Sequence, residues 1–480
     1  MPALDYHGGM QELLIGGKWR QGQGGITVIE PATGMPFEEV AAAGADDLDA
    51  AVAAAAAAFP AWSGASAVER AEILFRFADC VRAHAEELAL LEARNVGKPI
   101  GEARWEAQHV ADTLRYYAGA ADKFFGETIA VKKRGLDITL HDALGVVGLI
   151  VPWNFPMVIA TWKLAPALAC GNTVVLKPAS LTPLTALRLG ALGLEAGLPP
   201  GVLNVVPGPG AAIGAALAAH PDVAKIGFTG ETATGREIMR AAAATIKRVG
   251  LELGGKSPNI IFADVDVQLA ASEAVASVFA NAGQDCCARS RVIVERGIYD
   301  RFVEAMAAAT DALVVGDPLA ASTQMGPLIS ARQRARAEEY IGIGRGEGAR
   351  LVCGGQRLQG DGYFLRPAVF ADARPRQRIV DEEIFGPVAV VLPFDTEAEA
   401  IAIANDTIYG LSGSLWTNDL KRGLRVAQAV RTGVLSVNSS ASVHLQAPFG
   451  GYKQSGLGRE LGMHAMEHYT ELKNIYFETR

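Results

Sequence analysis

Two adjacent cysteines, Cys286 and Cys287, lie in the stretch NAGQDCCARSR at positions 281–291. A cysteine attacks a carbon centre as its thiolate, which requires a lowered pKa or a nearby base. Gly283 and Gln284 interrupt the helical apolar pattern that precedes the pair. We therefore expect Cys286 near the N-terminus of a new helix, where the helix dipole favours an anion. Spacing alone leaves the alternative of two buried, unreactive cysteines at a helix start.

Two further stretches contain residues suited to assist such a nucleophile. In LELGGKSP (251–258), Glu252 has apolar neighbours and two nearby glycines; a buried carboxyl has a raised pKa and can act as a general base. In VPWNFP (151–156), prolines on both sides exclude a helix and fix a turn after a strand. The amide of Asn154 in that turn is a fixed donor that could stabilise an oxyanion. A salt-bridged Glu252 and a helix-capping Asn154 are the alternatives.

Two stretches could bind phosphate or ribose. Lys177, in KPAS (177–180), follows a short apolar run, and its ammonium could contact a ribose or a phosphate. A solvated lysine at a strand end is equally compatible with this pattern. The glycine run PGPGAAIG (207–214) has the spacing Gly-x-Gly-x-x-x-Gly, which departs from the usual dinucleotide fingerprint and is a weak signal.

Apolar runs that alternate with helical patterns provide the elements that would position these residues. Strands are predicted at 143–152, 172–178, 201–208 and 223–230, with helices between them. This alternation is typical of an α/β fold with a parallel sheet, which binds dinucleotides at the carboxyl ends of its strands. A second α/β series begins near Ser257, so we place a domain boundary at 254–257. The polar segment 126–142 is predicted to be an exposed hairpin that pairs with the C-terminal LKNIYFETR.

Two helices show end signals. Ser66 and Glu69 form a capping box, and the helical spacing after them is closed by Gly97 and Pro99. The alanine tract 50–58 is about half of the ~20 residues needed to span a bilayer. We expect it to form a helix that ends at Pro60.

Composition limits the function classes. A chain of 480 residues is expected to form two or three domains. Its net charge of −8 argues against a nucleic-acid or anionic-membrane partner. The five cysteines are an odd number without a Cys-x-x-Cys pair, which favours reduced thiols in a cytoplasm and gives no metal-site pattern. The first residues show no export signal.

The chain closely resembles the aldehyde dehydrogenase superfamily over nearly its whole length. The resemblance is carried by motifs that occur in the order and spacing of that family: VPWNFP, LKP, FTGET, LELGGKSP, GQDCCARS, EEIFGPV and PFGGYKQSGLGRELG. It implies two parallel-sheet α/β domains, a Rossmann-like cofactor domain and a catalytic domain, with a small oligomerising β-hairpin. We assign 1–124 and 143–254 to the first domain, 255–453 to the second, and 125–142 and 454–480 to the hairpin and C-terminal segment.

The resemblance also implies a mechanism. The family pattern Gly-Gln-x-Cys makes Cys286, not Cys287, the nucleophile, and the group attacked is an aldehyde carbonyl. Asn154 and the Cys286 backbone N–H would form the oxyanion hole of a thiohemiacetal. Hydride transfer to NAD or NADP would leave a thioester, and Glu252 would activate the water that hydrolyses it. Dimers or dimers of dimers are usual in the family.

The remaining site residues follow from the resemblance alone. Lys177 and Ser180 would contact the adenosine ribose, and Glu383 and Phe385 the nicotinamide ribose. The rest of the cofactor path would be formed by Trp153, Gly210, Gly214, Thr229 and Leu253, and the substrate tunnel by Phe155, Trp162 and Phe449.

Two positions depart from the common family pattern. Glu231 stands where many members have serine near the pyrophosphate, so its role in cofactor binding is open. Ser180 stands where many NAD-preferring members have glutamate, so both NAD and NADP are expected to bind.

Trp162 stands where enzymes for succinate-type semialdehydes often have arginine. We therefore expect an aromatic, apolar, amino or betaine aldehyde as substrate, with cation–π contacts favouring the charged ones.

Three other functions remain as alternatives. A non-catalytic binding relative would be expected to have lost Cys286, Glu252 or Asn154, and all three are present. A cysteine hydrolase would need a histidine paired with the thiol, and only His444 and His464 lie near any motif. Relatives that transfer the acyl group to coenzyme A generally lack the base at position 252.

Overall fold

The structure, a computed structural model, describes residues 11–441 and 443–479. Its strands are β1 Leu13–Ile15, β2 Lys18–Arg20, β3 Gly24–Glu30, β4 Met35–Ala42, β5 Thr128–Ile129, β6 Gly135–Ala143, β7 Val146–Ile150, β8 Thr173–Lys177, β9 Leu203–Val205, β10 Lys225–Thr229, β11 Arg248–Glu252, β12 Pro258–Ile261, β13 Arg291–Glu295, β14 Arg350–Cys353, β15 Ala368–Ala371, β16 Val388–Phe394, β17 Ser414–Trp416, β18 Ser436–Val437, β19 Gly456–Leu457 and β20 Thr470–Glu478.

The α-helices are α1 Ala45–Gly64, α2 Ala67–Ala83, α3 Ala85–Val96, α4 Ile100–Ala120, α5 Pro156–Ala169, α6 Leu184–Glu195, α7 Ala215–Ala219, α8 Thr232–Ala243, α9 Val267–Phe279, α10 Tyr299–Asp311, α11 Ala331–Gly346, α12 Arg378–Asp381, α13 Glu397–Asn405, α14 Leu420–Ala429 and α15 His464–Glu467. A π-helical turn covers Gly210–Gly214, and short 3-10 turns cover Ala121–Lys123, Ala280–Gly283, Arg296–Ile298 and Lys453–Ser455.

The first large sheet has the strand order β19-β11-β10-β7-β8-β9-β1-β2. Strands β11, β10, β7, β8 and β9 run parallel, while β19, β1 and β2 are antiparallel additions. Every residue of β7, β8 and β10 is buried, as expected for strands that helices cover on both faces. The predicted parallel sheet is confirmed, although each strand is shorter than its apolar run.

The second large sheet has the order β14-β15-β16-β13-β12-β17-β18 and is parallel except for the β14–β15 pair. Its first strand in the chain, β12, begins at Pro258, six residues after β11 ends at Glu252. The α/β fold class with two sheets is therefore confirmed. The three predicted domain ranges stay a prediction, and residues 1–10 and 480 within them lie outside the described part of the chain.

A three-stranded sheet of order β20-β6-β5 stands apart from the two large ones. Strand β6 pairs along its whole length with β20, from Gly135 opposite Glu478 to Ala143 opposite Thr470. The predicted pairing of the hairpin with the C-terminal segment is thus confirmed. Apolar side chains on this sheet are exposed, including Leu472 at 60% and Phe477 at 49%.

Two helix predictions need correction. The Ser66 capping box is present, since Ser66 Oγ accepts the Glu69 N–H at 3.2 Å and Glu69 Oε2 accepts the Ser66 N–H at 2.7 Å. The helix after it is not continuous to Gly97, because His84 leaves helical geometry between α2 and α3. Helix α1 runs past Pro60 to Gly64, since a proline removes a single N–H bond in what is already the last turn.

A helix can cross a membrane only if it is both long and apolar. In residues 11–441 and 443–479, no single helix is long and apolar enough to cross a bilayer. The helices Ala45–Gly64 and Ala67–Ala83 meet that criterion only as a pair, by combined length and composition, and they are bent by 117° relative to each other.

Candidate active site

The predicted site residues lie where the carboxyl ends of the first sheet meet loops that precede strands of the second. The parallel strands of the first sheet end at Ile150, Lys177, Val205, Thr229 and Glu252. Loops beyond such strand ends are the usual ligand-binding position in α/β sheets. From the other side, Cys286 precedes β13 and Glu383 precedes β16. Asn154 Nδ2 donates to the Gln284 carbonyl at 2.9 Å, which joins the two sets of loops.

Cys286 lies in a turn, and the expectation of a helix N-terminus is wrong. The Asp285 carbonyl accepts the Ala288 N–H at 3.0 Å, and the Asp285 side chain accepts the Cys287 N–H at 2.8 Å. An aspartate that bonds the backbone two residues ahead stabilises a turn in preference to a helix. Strand β13 follows at Arg291. A helix dipole therefore does not stabilise a Cys286 thiolate.

The segment that leads to Cys286 is held by long-range bonds. Asn281, Ala282 and Gly283 have left-handed φ angles of 48°, 56° and 70°, which cost about 1–3 kcal/mol for each non-glycine residue. The buried Gln284 side chain offsets this strain. Its Nε2 donates to the Asn281 carbonyl at 3.1 Å, and its Oε1 accepts the Ile329 N–H at 2.9 Å. Gln284 thus fixes the backbone from which Cys286 projects.

The surroundings of the Cys286 thiol favour its protonated form. A hydrogen bond with the Cys287 side chain, burial, and the charges of Cys287, Asp285 and Glu383 raise the pKa of Cys286 well above its ordinary value. The thiolate must therefore be generated by a base or by charge brought with a ligand. Ligand atoms of Asp285, Cys286 and Cys287 lie within 4.8 Å of one another, the one such group of potential metal ligands in the described part of the chain. The absence of a metal stays a prediction.

Asn154 does not cap the following helix. It is 5% exposed, and Phe155 is the N-cap residue of α5, which begins at Pro156. Its Nδ2 carries two N–H groups, and the bond to the Gln284 carbonyl uses one of them. The second N–H makes no hydrogen bond to a described residue.

Glu252 ends β11 and is 5% exposed. Burial, followed by the like charge of Glu460, raises the pKa of Glu252 well above its ordinary value, while Lys163 and Arg459 oppose the shift. Lys163 forms its ion pair with Glu460. The Oε2 atom of Glu252 is buried without a hydrogen-bond partner among the described residues. These features match an uncharged carboxyl better than a salt-bridged one.

Lys177 and Ser180 lie together with the glycine run. Lys177 Nζ donates to the Pro178 carbonyl at 2.7 Å, and burial lowers the pKa of Lys177 to about 8. Ser180 Oγ donates to the Gly208 carbonyl at 2.9 Å. A Cβ at Gly214 would lie 3.7 Å from Lys177 Cδ, whereas one at Gly210 would enter open space. The helix expected directly after the run begins with a π-helical turn instead.

Thr229, Glu231 and Leu253 lie at the carboxyl ends of the neighbouring strands β10 and β11. Thr229 ends β10, and its Oγ1 is buried without a partner among the described residues. Glu231 is the N-cap residue of α8, and its exposed side chain makes no bond to the helix. Leu253 follows Glu252, and its N–H donates to the Ser455 carbonyl at 2.8 Å.

Glu383 and Phe385 reach the same region from the second sheet. Glu383 Oε1 accepts the Gly255 N–H at 3.0 Å, and burial raises the pKa of Glu383 to about 7. Phe385 has a left-handed φ of 59°, and its ring lies edge-on to Trp153 with centroids 5.3 Å apart. The structure therefore brings Trp153 and Phe385 together although 232 positions separate them in the sequence.

The three predicted tunnel residues belong to one apolar cluster with Cys286 and Cys287. The rings of Trp162 and Phe449 meet edge to face at 5.2 Å. Phe155 packs against the ammonium of Lys98, 4.3 Å from its ring centre.

Comparison with known proteins identifies the family. Residues 19–475 match the model of the aldehyde dehydrogenase family. The chain belongs to this family. It is 43% identical to betaine aldehyde dehydrogenase of Bacillus subtilis over 479 residues, 98% of each chain. It is 45% identical to retinal dehydrogenase 2 of Mus musculus over 471 residues, 97% of this chain and 91% of the relative. The solved NAD+ complex of an aldehyde dehydrogenase from Bacillus cereus has a TM-score of 0.97 at 44% identity, covering 98% of this chain and 97% of that chain.

Two residues of helix α4, Trp105 and His109, extend the group of rings formed by Phe155, Trp162 and Phe449, which we call the aromatic wall. Neither residue was predicted from the sequence. His109 Nε2 accepts the Trp162 Nε1–H at 2.9 Å, and the His109 ring stacks on Trp105 at 4.9 Å. Burial lowers the pKa of His109 to about 4, so its ring is neutral near pH 7. Trp105 is 57% exposed. No motif surrounds these residues, and a helical pattern does not reveal which element its side chains meet.

Proposed function

We propose that this member of the aldehyde dehydrogenase family oxidises an aldehyde to the carboxylic acid with NAD or NADP as the oxidant. The observation that carries the proposal is the hydrogen bond from Asn154 Nδ2 to the Gln284 carbonyl. It holds an amide donor beside the Cys286 loop, while Glu252, whose Oε2 has no hydrogen-bond partner among the described residues, ends a strand of the same sheet edge. This arrangement supports the roles of Cys286 as nucleophile, Asn154 as oxyanion donor and Glu252 as base.

The first chemical step is attack by the Cys286 thiolate on the aldehyde carbon, after the thiol proton has passed to a base. A C–S bond forms, and the carbonyl oxygen becomes an oxyanion. The free N–H of Asn154 and the backbone N–H of Cys286 are the donors that stabilise it. Donors of this kind, fixed before the reaction, contribute about 10²–10³ in rate for each one. The Gln284 side chain maintains the backbone geometry that such donors require.

The residues at the strand ends fit a dinucleotide. Thr229 Oγ1 is a buried donor without a partner in the described residues, Gly214 lies against Lys177, and a side chain at Gly210 would enter open space. Lys177 and Ser180 would hold the adenosine ribose, and Glu383 and Phe385 the second ribose. When bound, the nicotinamide supplies a hydride acceptor. The path between the two riboses is formed by Trp153, Gly210, Gly214, Thr229, Glu231 and Leu253.

Release of the acid requires a base, and Glu252 is the residue placed for it. As a carboxylate it removes a proton from the water that attacks the Cys286 thioester, the C–S bond breaks, and the thiol is restored. A carboxyl with a raised pKa is a stronger base than a solvated one once it has lost its proton. Acyl transfer to coenzyme A is the alternative, and measuring turnover with and without coenzyme A distinguishes the two reactions. A turnover rate independent of coenzyme A supports hydrolysis.

The aromatic wall supports an aromatic, apolar, amino or betaine aldehyde as substrate. Trp162, Phe449 and Phe155 offer ring faces to an apolar or quaternary ammonium group. Among the relatives, one is a betaine aldehyde dehydrogenase and another a retinal dehydrogenase. An aldehyde panel assayed with NAD and NADP tests this class. Higher kcat/KM for succinic semialdehyde than for benzaldehyde or betaine aldehyde would contradict it.

The adjacent cysteines provide a matched pair of variants that tests the proposed function. Cys286→Ala is expected to abolish aldehyde oxidation, whereas Cys287→Ala keeps most of it. Both variants remove one sulfur from the same turn, so a difference between them reports the nucleophile and not the packing. Full activity of Cys286→Ala would overturn the assignment, and a non-catalytic binding relative would show no oxidation in any variant.

Assembly and location are also part of the proposal. The exposed apolar side chains of the β20-β6-β5 sheet favour a homodimer or homotetramer formed through that sheet. Light scattering tests this state. The cytoplasmic location expected from the cysteine pattern stays a prediction.

A further inference from the structure

A buried ionic cluster lies next to the turn that contains Asn154. Lys98, Glu92 and Glu106 are each at most 1% exposed. The Lys98 ammonium pairs with Glu106, and it lies 3.9 Å from Glu92 Oε1. Glu92 Oε2 accepts the Thr185 hydroxyl at 2.9 Å. The cluster lies where helix α3 ends and helix α4 begins, so it connects the helical layer with the loops of the first sheet.

Lys98 also contacts the Asn154 turn directly. Its Nζ donates to the Asn154 carbonyl at 3.0 Å. The same carbonyl accepts Asn281 Nδ2 at 3.0 Å, and Nζ lies 4.3 Å from the ring centre of Phe155. The peptide between Asn154 and Phe155 is therefore held by two donors and a cation–π contact. Rotation of this peptide would move the Asn154 carbonyl away from both donors.

These bonds control where the Asn154 amide points. The carbonyl is fixed by Lys98 and Asn281, and the side-chain Nδ2 is fixed by the Gln284 carbonyl at 2.9 Å. Asn281 Nδ2 also reaches the Gln284 carbonyl at 3.3 Å. Lys98 and two residues of the segment before Cys286, Asn281 and Gln284, thus surround Asn154, and Lys98 is the charged one. A charged donor forms a stronger bond than a neutral one.

A contribution to folding stability does not by itself explain why the Lys98 ion pair is buried here. Removing an ammonium from water costs several kcal/mol, and a well-packed apolar pair is often as stable as a buried ion pair. The oxyanion donor, in contrast, needs to be placed within a few tenths of an ångström to act. The contact to the Asn154 carbonyl provides such placement.

We propose that Lys98 is a positioning residue for the oxyanion donor: it holds the 154–155 peptide so that the Asn154 amide meets the carbonyl oxygen of the aldehyde. The inference rests on the proposed function, in which Asn154 stabilises the thiohemiacetal. It predicts that Lys98 affects the acylation step through Asn154 and has little effect on cofactor binding.

A double-mutant cycle tests this dependence. The variants are Lys98→Met, Asn154→Ala and the double variant, and acylation is followed in a single turnover by the appearance of reduced cofactor. Asn154→Ala is expected to lower the rate by about 10²–10³, and Lys98→Met by about tenfold in the wild-type background. In the Asn154→Ala background, Lys98→Met is expected to lower the acylation rate by less than about twofold, because the effects of interacting residues are not additive. The Kd of the cofactor stays within about twofold in all variants.

Two further variants separate positioning from folding. Lys98→Arg keeps a charged donor, so its loss is expected to be smaller than that of Lys98→Met. If Lys98→Met does not fold, the apolar pair Lys98→Met with Glu106→Met replaces it in the same cycle, since exchanging both partners avoids leaving Glu106 unpaired. Thermal unfolding of each variant confirms that folded proteins are compared.

The outcomes are distinguishable. An equal loss from Lys98→Met in both backgrounds, or no loss in the wild-type background, would overturn the positioning role and leave the proposed function intact. Unimpaired acylation by Asn154→Ala would refute the oxyanion role itself, and the inference about Lys98 with it.

Discussion

Replacing Glu252 with glutamine removes one ionisable group from the end of β11 and keeps its size. Burial, together with the charge of Glu460, raises the pKa of Glu252 well above its ordinary value. Burial therefore favours the protonated carboxyl, and glutamine resembles this form. Because an exchange of similar shape leaves packing intact, we expect the free energy of unfolding to change by less than ~1 kcal/mol.

The effect on catalysis is expected to be much larger. A positioned general base contributes about 10²–10⁴ in rate, which corresponds to ~3–5 kcal/mol of barrier at 1.36 kcal/mol for each factor of ten. Glutamine cannot accept the proton of the attacking water. Cys286 and the Asn154 donor are unchanged in this variant, so thioester formation continues. The loss is expected to fall on deacylation, and steady-state turnover should decrease by about 100-fold or more.

Rapid mixing of the Glu252→Gln variant with saturating aldehyde and cofactor measures both steps. We expect a burst of reduced cofactor close to one equivalent for each active site, followed by slow turnover. Mass spectrometry of the quenched protein should find the acyl group on the peptide that contains Cys286. The control is Glu237→Gln, which changes an exposed glutamate of α8 and should turn over like the unmodified protein.

Two results would refute this reasoning. Steady-state turnover of Glu252→Gln within about threefold of the unmodified enzyme would show that another group activates the water. A variant that produces neither burst nor turnover, while folding normally, would place Glu252 in the acylation step and make deprotonation of Cys286 its main role.

Three further predictions concern electrostatics, cofactor choice and stability. Glu460→Gln removes the like charge that raises the pKa of Glu252. Because Glu252 acts as a base in its carboxylate form, the part of the kcat–pH profile that rises with pH should move to lower pH. An unchanged profile would contradict this. Ser180→Glu should lower kcat/KM for NADP at least about tenfold, equivalent to ~1.4 kcal/mol, with a smaller effect for NAD; unmodified enzyme that is inactive with saturating NADP would show that another group excludes the 2′-phosphate. Ser66→Ala removes the cap of α2 and should lower the free energy of unfolding by ~1 kcal/mol in urea titrations, with activity retained.

Local patterns predicted much of the fold. Four strands of the first parallel sheet were expected from apolar runs between helical patterns, and the capping box at Ser66 was expected from two side chains three positions apart. Such features depend on the chemistry of neighbouring residues. The ends of strands and the break at His84 were not predictable in this way, because they depend on where the rest of the fold stops pairing or packing.

The catalytic turn shows why local reasoning was insufficient for Cys286. The pattern around Gly283 and Gln284 indicated a new helix, but the Asp285 carboxylate bonds the Cys287 N–H, and Gln284 is bound to Ile329 far along the chain. Lys98 is a similar case. A lysine before a proline is usually solvated, and only the assembled helices α3 and α4 surround it with carboxyls.

The pKa values of the site groups are all shifted toward the uncharged forms. Burial raises the pKa of Glu252 and brings that of Glu383 to about 7 and that of Lys177 to about 8, and the hydrogen bond with Cys287 raises that of the Cys286 thiol. Cys286 and Glu252 cannot both lose protons easily, since each new negative charge in a dry site disfavours the next. A charged ligand at the strand ends changes this balance, because a cation near the thiol favours the thiolate, and an anion near Lys177 favours its ammonium. The burial that suppresses nucleophile and base in the ligand-free protein therefore also makes both more reactive once they ionise. On the proposed function, cofactor binding is therefore expected to favour ionisation of the nucleophile.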